Sequence, residues 1–425
     1  MQLYLFTTNL IYNKTMLKIY ICGPTVYNDP HIGNLRPIVT FDLILKAFRF
    51  LNKPFLFIHN ITDIDDKIIN KAIKENTTEE KIAEKYTKKY LELLDILNIN
   101  TISHIEKVTD NIDLINNYIL RLVNSNNAYK DSQGNVWFDV RTNAQNYGVV
   151  SGQNLDKMIF EEESSEKKFS ADFALWKKTK IGIKYQSDFG LGRPGWHTEC
   201  CALIDKHFGA QGVDIHGGGM DLTFPHHENE NIQHWALYKN DIAKNWIRCG
   251  QINLDGVKMS KSLGNVIYPE DFFNQYGVNI YKLLLLTSKL SAPINISDEL
   301  INNLNSIQTK YKKVLFSIFS KHGVNFKVDN QNEEAKNIFT ALSNYDFAKY
   351  NFLLNEQIKL FNKTKELKHA TVIYTVLHII HPEYTDVNKY QEALNLFYQW
   401  THFTTEKDYF NADLIREKLQ KTGLY

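Results

Sequence analysis

Cysteine is scarce in this chain: four residues in 425, at Cys22, Cys200, Cys201 and Cys249. So few, so widely spaced, cannot staple a domain of this size. That excludes a disulfide-built scaffold and suits a reducing compartment, so a cytoplasmic protein is expected. Long apolar runs are missing too. Leu283 to Leu286 is the kind of short cluster a core uses, far below the roughly 18 residues that cross a bilayer, and no membrane partner is expected. The N-terminus, MQLYLFTTNLIYNKT, lacks both a basic start and a continuous apolar stretch, so it does not read as a signal peptide. Neither sign of charge is in excess, with 49 Lys plus Arg against 48 Asp plus Glu. Net charge therefore gives no hint of nucleic acid, although a local basic face could still bind RNA.

What is present is an ordinary globular composition, 43% hydrophobic and 23% charged, in a chain long enough for two or three domains. Leu17 to Ile21 reads as a short strand ended by Gly23-Pro24. After His31-Ile32-Gly33-Asn34, apolar residues at helical period run through Ile38, Phe41, Leu45 and Phe48, with Pro37 suited to the first turn. Phe55 to Ile61 follows as a second strand. Strand, helix, strand is a βαβ unit, which implies a parallel sheet with a right-handed crossover. Asn76-Thr77-Thr78-Glu79 resembles an N-cap with a Glu at the capping-box position, ahead of a helix with Ile82, Tyr86, Tyr90, Leu93 and Leu97 on one face.

The texture changes from about 116 to 194, where short strand-like pieces such as Val136 to Val140 precede a charged loop at Glu161 to Lys168. Strand signals return at Val213 to Ile215 and Ile247 to Leu254, and beyond Ser297 nearly everything has helical period. The expected fold class is α/β: a Rossmann-type parallel-sheet catalytic domain split by an insertion, followed by an α-helical bundle. Its expected divisions are 1–115, the first half of the sheet domain; 116–194, the insertion; 195–250, the second half; 251–297, a lysine loop and its flank; and 298–425, the bundle.

Two segments suit phosphate chemistry. Cys22-Gly23-Pro24-Thr25 through His31-Ile32-Gly33-Asn34 lies between the first strand and its helix, where an open α/β sheet binds nucleotides. Gly33 lets backbone approach a ligand, and His31 and Asn34 can donate to phosphate oxygens; the plainer alternative is that His31 only caps the helix. The second is Lys258-Met259-Ser260-Lys261-Ser262, followed by Leu263-Gly264-Asn265. Two lysines so spaced suit a loop closing over a triphosphate, where they would act on charge building on the departing pyrophosphate. The alternative there is a solvated basic loop.

A third constellation suits a metal. In Phe224-Pro225-His226-His227-Glu228-Asn229-Glu230, a helix starting near Pro225 would put His226 and Glu230 on one face. Cys22 and Cys200 could add thiolates to a zinc site, with His227, Glu228, Cys201 and Cys249 as competing ligands.

The two phosphate segments resemble the HIGH and KMSKS signatures of class I aminoacyl-tRNA synthetases. The second is complete, whereas Asn34 replaces the last His of the first. The strings IYICGPTVYNDPHIGN, NITDIDDKI, DFALWK, GRPGWHTECCA, DIHGGGMDLTFPHHENE and DGVKMSKSLGN are similar, in order, to the cysteinyl-tRNA synthetase family. That resemblance implies zinc ligands at Cys22, Cys200, His226 and Glu230, a cysteine pocket touched by Cys22 and Trp196, and catalytic roles for His31, Asn34, Lys258 and Lys261. It implies ATP contacts at Pro24, Thr25, His31, Gly33, Asn34, His216, Gly219, Asp221, Lys258, Ser260, Lys261 and Ser262, with Asp221 on a ribose hydroxyl. The implied partners are L-cysteine, ATP with Mg2+ and tRNA(Cys), and the implied cofactor is one Zn2+ per subunit of a monomer.

Asn344 to Ala348 and Lys407 to Leu419 resemble parts of the family's tRNA-binding bundle. The chain ends at Tyr425, where better-known members continue, so a reduced or absent anticodon module is expected. Asn279 and Lys282 stand where Asp and Arg are common. The rival readings are a ligase that couples cysteine to an amino sugar, a zinc hydrolase built on His226, His227 and Glu230, and a non-catalytic RNA-binding descendant.

Overall fold

The protein is described by a computed structural model covering residues 16–158, 160, 166–259 and 264–425. Ser260, Lys261, Ser262 and Leu263 of the lysine loop, and most of the charged stretch from Glu161, lie outside these residues.

The first strand, β1 (Leu17–Ile21), runs parallel to β2 (Phe55–Ile61), which runs parallel to β3 (His104–Lys107). Between them come helices α1 (Ile32–Phe50), α2 (Asp66–Lys74) and α3 (Glu79–Ile96), and α4 (Ile112–Asn124) follows β3. Next comes a small antiparallel sheet of β4 (Ala128–Lys130), β5 (Val136–Phe138), β6 (Phe173–Lys177) and β7 (Arg193–Pro194). After α5 (Trp196–Phe208) the chain rejoins the parallel sheet as β8 (Val213–Gly219), and after α6 (Glu228–Tyr238) as β9 (Ala243–Cys249). The sheet order is β3-β2-β1-β8-β9, so the strand order reverses between β1 and β8. Brief strands β10 (Ile252–Leu254), β11 (Val257–Lys258) and β12 (Ile294–Ile296) form a third sheet, with α7 (Pro269–Tyr276) and α8 (Val278–Leu286) between the last two. The rest is helical: α9 (Asp298–His322), α10 (Glu333–Ser343), α11 (Phe347–Thr364), α12 (Leu367–Ile380), α13 (Gln391–Thr405) and α14 (Tyr409–Lys421). None of the described helices is long and apolar enough to cross a membrane.

Strand alternation explains why both faces of the parallel sheet are covered. Ile19 and Ile21 pack in the core shared with α1, while Tyr20 between them points into the core shared with α4 and α5. Two contacts then fix the third sheet against α1. The buried Arg36 guanidinium donates to the carbonyls of Gln251, Lys289, Leu290 and Ala292, and Tyr281 Oη donates to Ile32 O at 2.6 Å. Lys258 on β11 is thereby held near the start of α1.

Several boundaries differ from the sequence reading. Pro37 is the sixth residue of α1, beyond the first turn, because a capping box of His31 and Asn34 already starts the helix at Ile32. The N-cap of α3 is Thr78, whose hydroxyl accepts from Lys81 N, so Glu79 is not at a capping-box position; it accepts from Ile183 N instead. The expected strand from Ile247 to Leu254 is two strands in different sheets, parted at Gly250. The regular helix expected near Pro225 begins at Glu228, since Phe224 has extended backbone (φ −139°, ψ 135°) and a wide turn occupies Thr223–His227.

Candidate active site and metal centre

The phosphate loop leaves β1 at the point where the strand order reverses, the place where open α/β sheets bind nucleotides. Its backbone is tied on both sides: Cys22 N donates to Gly217 O of β8, and Val26 N to Thr62 O beyond β2. Gly23 is required by close approach, for a Cβ there would sit 1.6 Å from Asn60 O. Above this floor opens a cavity of about 560 Å³. Pro24, Thr25, His31, Gly33 and Asn34 line it from the first half of the sheet domain, Gly219 and Asp221 from the second, and Lys258 from β11. Cys22 and Trp196 also line it.

His31 and Asn34 do cap α1. His31 Nδ1 accepts from Gly33 N at 3.1 Å, and Asn34 Oδ1 accepts from His31 N at 3.0 Å. Each side chain also carries a donor nitrogen: an Nδ1 that accepts puts the proton of neutral imidazole on Nε2, and Asn34 has its amide Nδ2. Capping and ligand contact are compatible.

Below the cavity the chain gathers the expected ligand quartet from three elements. Cys22 follows β1, Cys200 is on α5, His226 lies in the turn before α6, and Glu230 is in the first turn of α6. Cys22 Sγ is 3.9 Å from Cys200 Sγ and 3.7 Å from Glu230 Oε1; Cys200 Sγ is 3.7 Å from His226 Nε2, which is 2.9 Å from Glu230 Oε1. Zinc bonds of about 2.0 to 2.3 Å place tetrahedral donors roughly 3.3 to 3.8 Å apart, so thiolate, imidazole and carboxylate atoms here have the right type and nearly the right spacing. The four donors shift one another's titration, and burial pushes the Cys22 thiol well above its usual range. Burial pushes the Glu230 carboxyl up, but His226 and His216 overcome that and hold it well below the usual range. Burial lowers the His226 imidazole, but the Glu230 charge and the Cys200 sulfur raise it to about 10. The Cys200 thiol is brought down to about 7: hydrogen bonds from Cys22 and His226 outweigh burial.

A second group, Cys22, His216, His227 and Glu230, also converges. Arg248 Nε donates to His227 Nδ1 at 3.1 Å, so the neutral ring carries its proton on Nε2, the atom 3.8 Å from Cys22 Sγ. That atom is then a donor toward sulfur rather than a metal ligand. His226 turns its Nδ1 to His197 Nδ1 at 3.1 Å and its Nε2 toward Cys200 and Glu230. His216, expected beside the adenylate, is fully buried and stacked on Trp246, with Nε2 2.8 Å from Glu230 Oε2. Strand alternation on β8 turns it beneath the sheet, and it does not line the cavity. The sequence reading passed over Arg248, His197 and Lys67, all of which gain meaning only through contacts distant in the chain.

These features, a parallel sheet interrupted between its halves, a capped phosphate loop at the reversal and a lysine strand facing it, define a class I aminoacyl-tRNA synthetase. Residues 8–306 match the family model of the tRNA synthetases class I (C) catalytic domain. The fold is shared with Mycobacterium tuberculosis methionyl-tRNA synthetase in complex with methionyl-adenylate (TM-score 0.59, 14% identity, covering 86% of this chain and 90% of that one). It is also shared with the LeuRS of Agrobacterium radiobacter K84 in a ternary complex with tRNA (TM-score 0.61, 10% identity, 88% and 84% covered). Within that class the chain belongs to the cysteine--tRNA ligases. It is 41% identical over 416 residues to the enzyme of that name from Mesomycoplasma hyopneumoniae strain 232, covering 97% of this chain and 98% of the relative. It is 39% identical over 452 residues to the one from Mycoplasma capricolum subsp. capricolum, with both chains covered in full.

Proposed function

We propose that the chain activates L-cysteine with ATP, releasing pyrophosphate, and transfers the cysteinyl group from the adenylate to tRNA(Cys), with Cys22, Cys200, His226 and Glu230 holding a zinc ion that selects the substrate. The observation that carries this reading is the convergence of those four donors on one another beside a nucleotide-sized cavity that Cys22 also lines. A bound zinc stabilises a substrate thiolate over a serine hydroxyl, which ionises far less readily and is a poorer ligand. Discrimination of this kind does not depend on size, which separates near-isosteres poorly.

The chain's own groups supply the rest. Trp196 stacks on His226 with ring centroids 4.4 Å apart, walling the amino-acid end of the cavity. His31 and Asn34 donate to ATP phosphates near the positive end of α1. Asp221 accepts from a ribose hydroxyl. When the cysteine carboxylate attacks the α-phosphorus, Lys258 and Lys261 meet the charge developing on the leaving pyrophosphate, which Mg2+ accompanies. The terminal ribose hydroxyl of tRNA then attacks the carbonyl and AMP departs. No covalent enzyme intermediate is needed; positioning and preorganised charge lower the barrier. In this reading 1–115 and 195–250 form the catalytic body, 116–194 its insertion, 251–297 the lysine strand and its flank, and 298–425 the tRNA-facing bundle. One chain supplies every site residue, so a cytosolic monomer suffices.

The test is cysteine-dependent pyrophosphate exchange with zinc quantified, followed by transfer to tRNA against amino-sugar acceptors. Exchange with tRNA charging supports the proposal. Exchange with coupling to an amino sugar and no charging would overturn its second half.

A further inference from the structure

One cation at the cavity mouth has no part in the chemistry above. Lys67 is the second residue of α2; its backbone N–H donates to the capping carboxylate of Asp65, and its side chain is exposed at the rim. Its ammonium lies 5.7 Å from the ring centroid of Tyr27 and 5.9 Å from that of Trp196. Among the described residues no carboxylate pairs with it: the adjacent Asp66 binds Arg193 and Lys177 instead. Aromatic faces hold a cation in place without neutralising it. An ammonium so held keeps its full charge for an anion in the cavity.

The two rings also say which end of the cavity it serves. Trp196 is stacked on His226 of the donor quartet, and Tyr27 belongs to the phosphate loop. Lys67 therefore stands over the passage between the thiol-binding end and the phosphate cradle. Cysteine is short, so a molecule anchored by its sulfur must present its carboxylate in that passage, aimed at the α-phosphorus. A carboxylate entering a partly dry cavity needs a compensating charge.

We propose that Lys67 forms the carboxylate subsite for the amino acid, its ammonium pairing with the substrate's α-carboxylate and orienting it for attack. This rests on the cysteine-activating reading above. Because rings 5.7 and 5.9 Å away flank the ammonium, the group is guided rather than clamped, and it can release the carboxylate as the acyl-phosphate bond forms.

The test uses the full chain with Lys67→Met and Lys67→Arg, measuring pyrophosphate exchange, zinc content and inhibition by cysteamine. Cysteamine keeps the thiol and amine of cysteine and lacks the carboxylate. Lys67→Met is expected to raise the KM for cysteine roughly ten- to a hundredfold, the range for losing a hydrogen bond to a charged group. The KM for ATP, the inhibition constant for cysteamine and the zinc content should stay in place, and Lys67→Arg should restore part of the loss. Equal weakening of cysteine and cysteamine would reduce Lys67 to pocket structure. A rise in the ATP KM alone would assign its charge to phosphate, and unchanged kinetics would remove it from the site; each of these overturns the proposal. Absence of any cysteine-dependent exchange in the unaltered chain would overturn the parent reading, and this inference with it.

Discussion

The Sγ atoms of Cys22 and Cys200 lie 3.9 Å apart, although 178 residues separate them in the chain. A disulfide would bring them to about 2.05 Å, and an unrelated pair of buried thiols would not also face an imidazole and a carboxylate. Cys200→Ser is expected to lower zinc content and cysteine/serine discrimination together. His227→Asn, which alters only the competing group, should leave zinc bound because its Nδ1 is already engaged by Arg248. Elemental analysis of the purified variants decides. Full zinc in Cys200→Ser, or loss in His227→Asn, would exchange the two ligand sets.

The cap made by Asn34 and the phosphate contact proposed for it can be separated by substitution. Its Oδ1 caps α1, and the residue lines the cavity. Asn34→Ala should cost about 1 kcal/mol of stability through the lost cap, lowering Tm by roughly 1 °C in a chain of this size, and should also slow adenylation. Asn34→Asp keeps an acceptor for His31 N, so its Tm should hold while its adenylation rate falls, since a carboxylate would face the phosphates. Calorimetry and single-turnover adenylate formation read the two effects. If the Asp variant matches the original rate, Asn34 only caps.

How much of this was legible beforehand follows from the physics of each element. The βαβ start was readable because β1 and β2 are buried on both faces and α1 has a long apolar period. The convergence of Cys22, Cys200, His226 and Glu230 could be foreseen only through motif resemblance, since nothing local links Cys22 to Glu230. The α6 boundary was missed because Phe224 leaves helical backbone just before Pro225, a detail that sequence period does not record. The edge strand β3, with His104 and Ile105 exposed, lacks a buried pattern to detect. His216 faces Glu230 through the alternation of β8, a relation its motif does not reveal. Lys67 stood in plain view within NITDIDDKI, but its importance arises from Tyr27 and Trp196, which the fold alone brings to it.

Lys261 follows β11 in sequence, and the role proposed for it rests on charge development in the transition state. Lys261→Ala is expected to slow adenylate formation by a hundredfold or more, on the order of the loss of one preorganised donor to a developing charge. Cysteine affinity should change little. Rapid-quench measurement of adenylate formation across cysteine concentrations separates rate from binding. A loss shared equally between them would end the transition-state assignment.

The junction between the catalytic body and the bundle supplies a pH signature. Lys282 on α8 is only 1% exposed and its ammonium has no hydrogen-bond partner among the described residues. Burial, and then the charge of Lys46, push it down to about 8, with Glu383 and Asp42 opposing. In the unfolded chain a lysine titrates near 10.5. Between pH 8 and 10.5 the unfolded chain therefore holds a proton that the folded chain has released, so raising the pH through this window favours folding. Below pH 8 the full cost is present; a drop from 10.5 to about 8 corresponds to about 3 kcal/mol. Lys282→Met, of similar length and without charge, is expected to be more stable than the original at pH 7, by an amount that shrinks as the pH climbs to 10.5. Taking the difference between the two chains at each pH cancels the tyrosines and other lysines common to both. Urea melts at pH 7, 8.5 and 10 measure it, and a difference that stays constant across that range would mean Lys282 is already compensated in the folded protein.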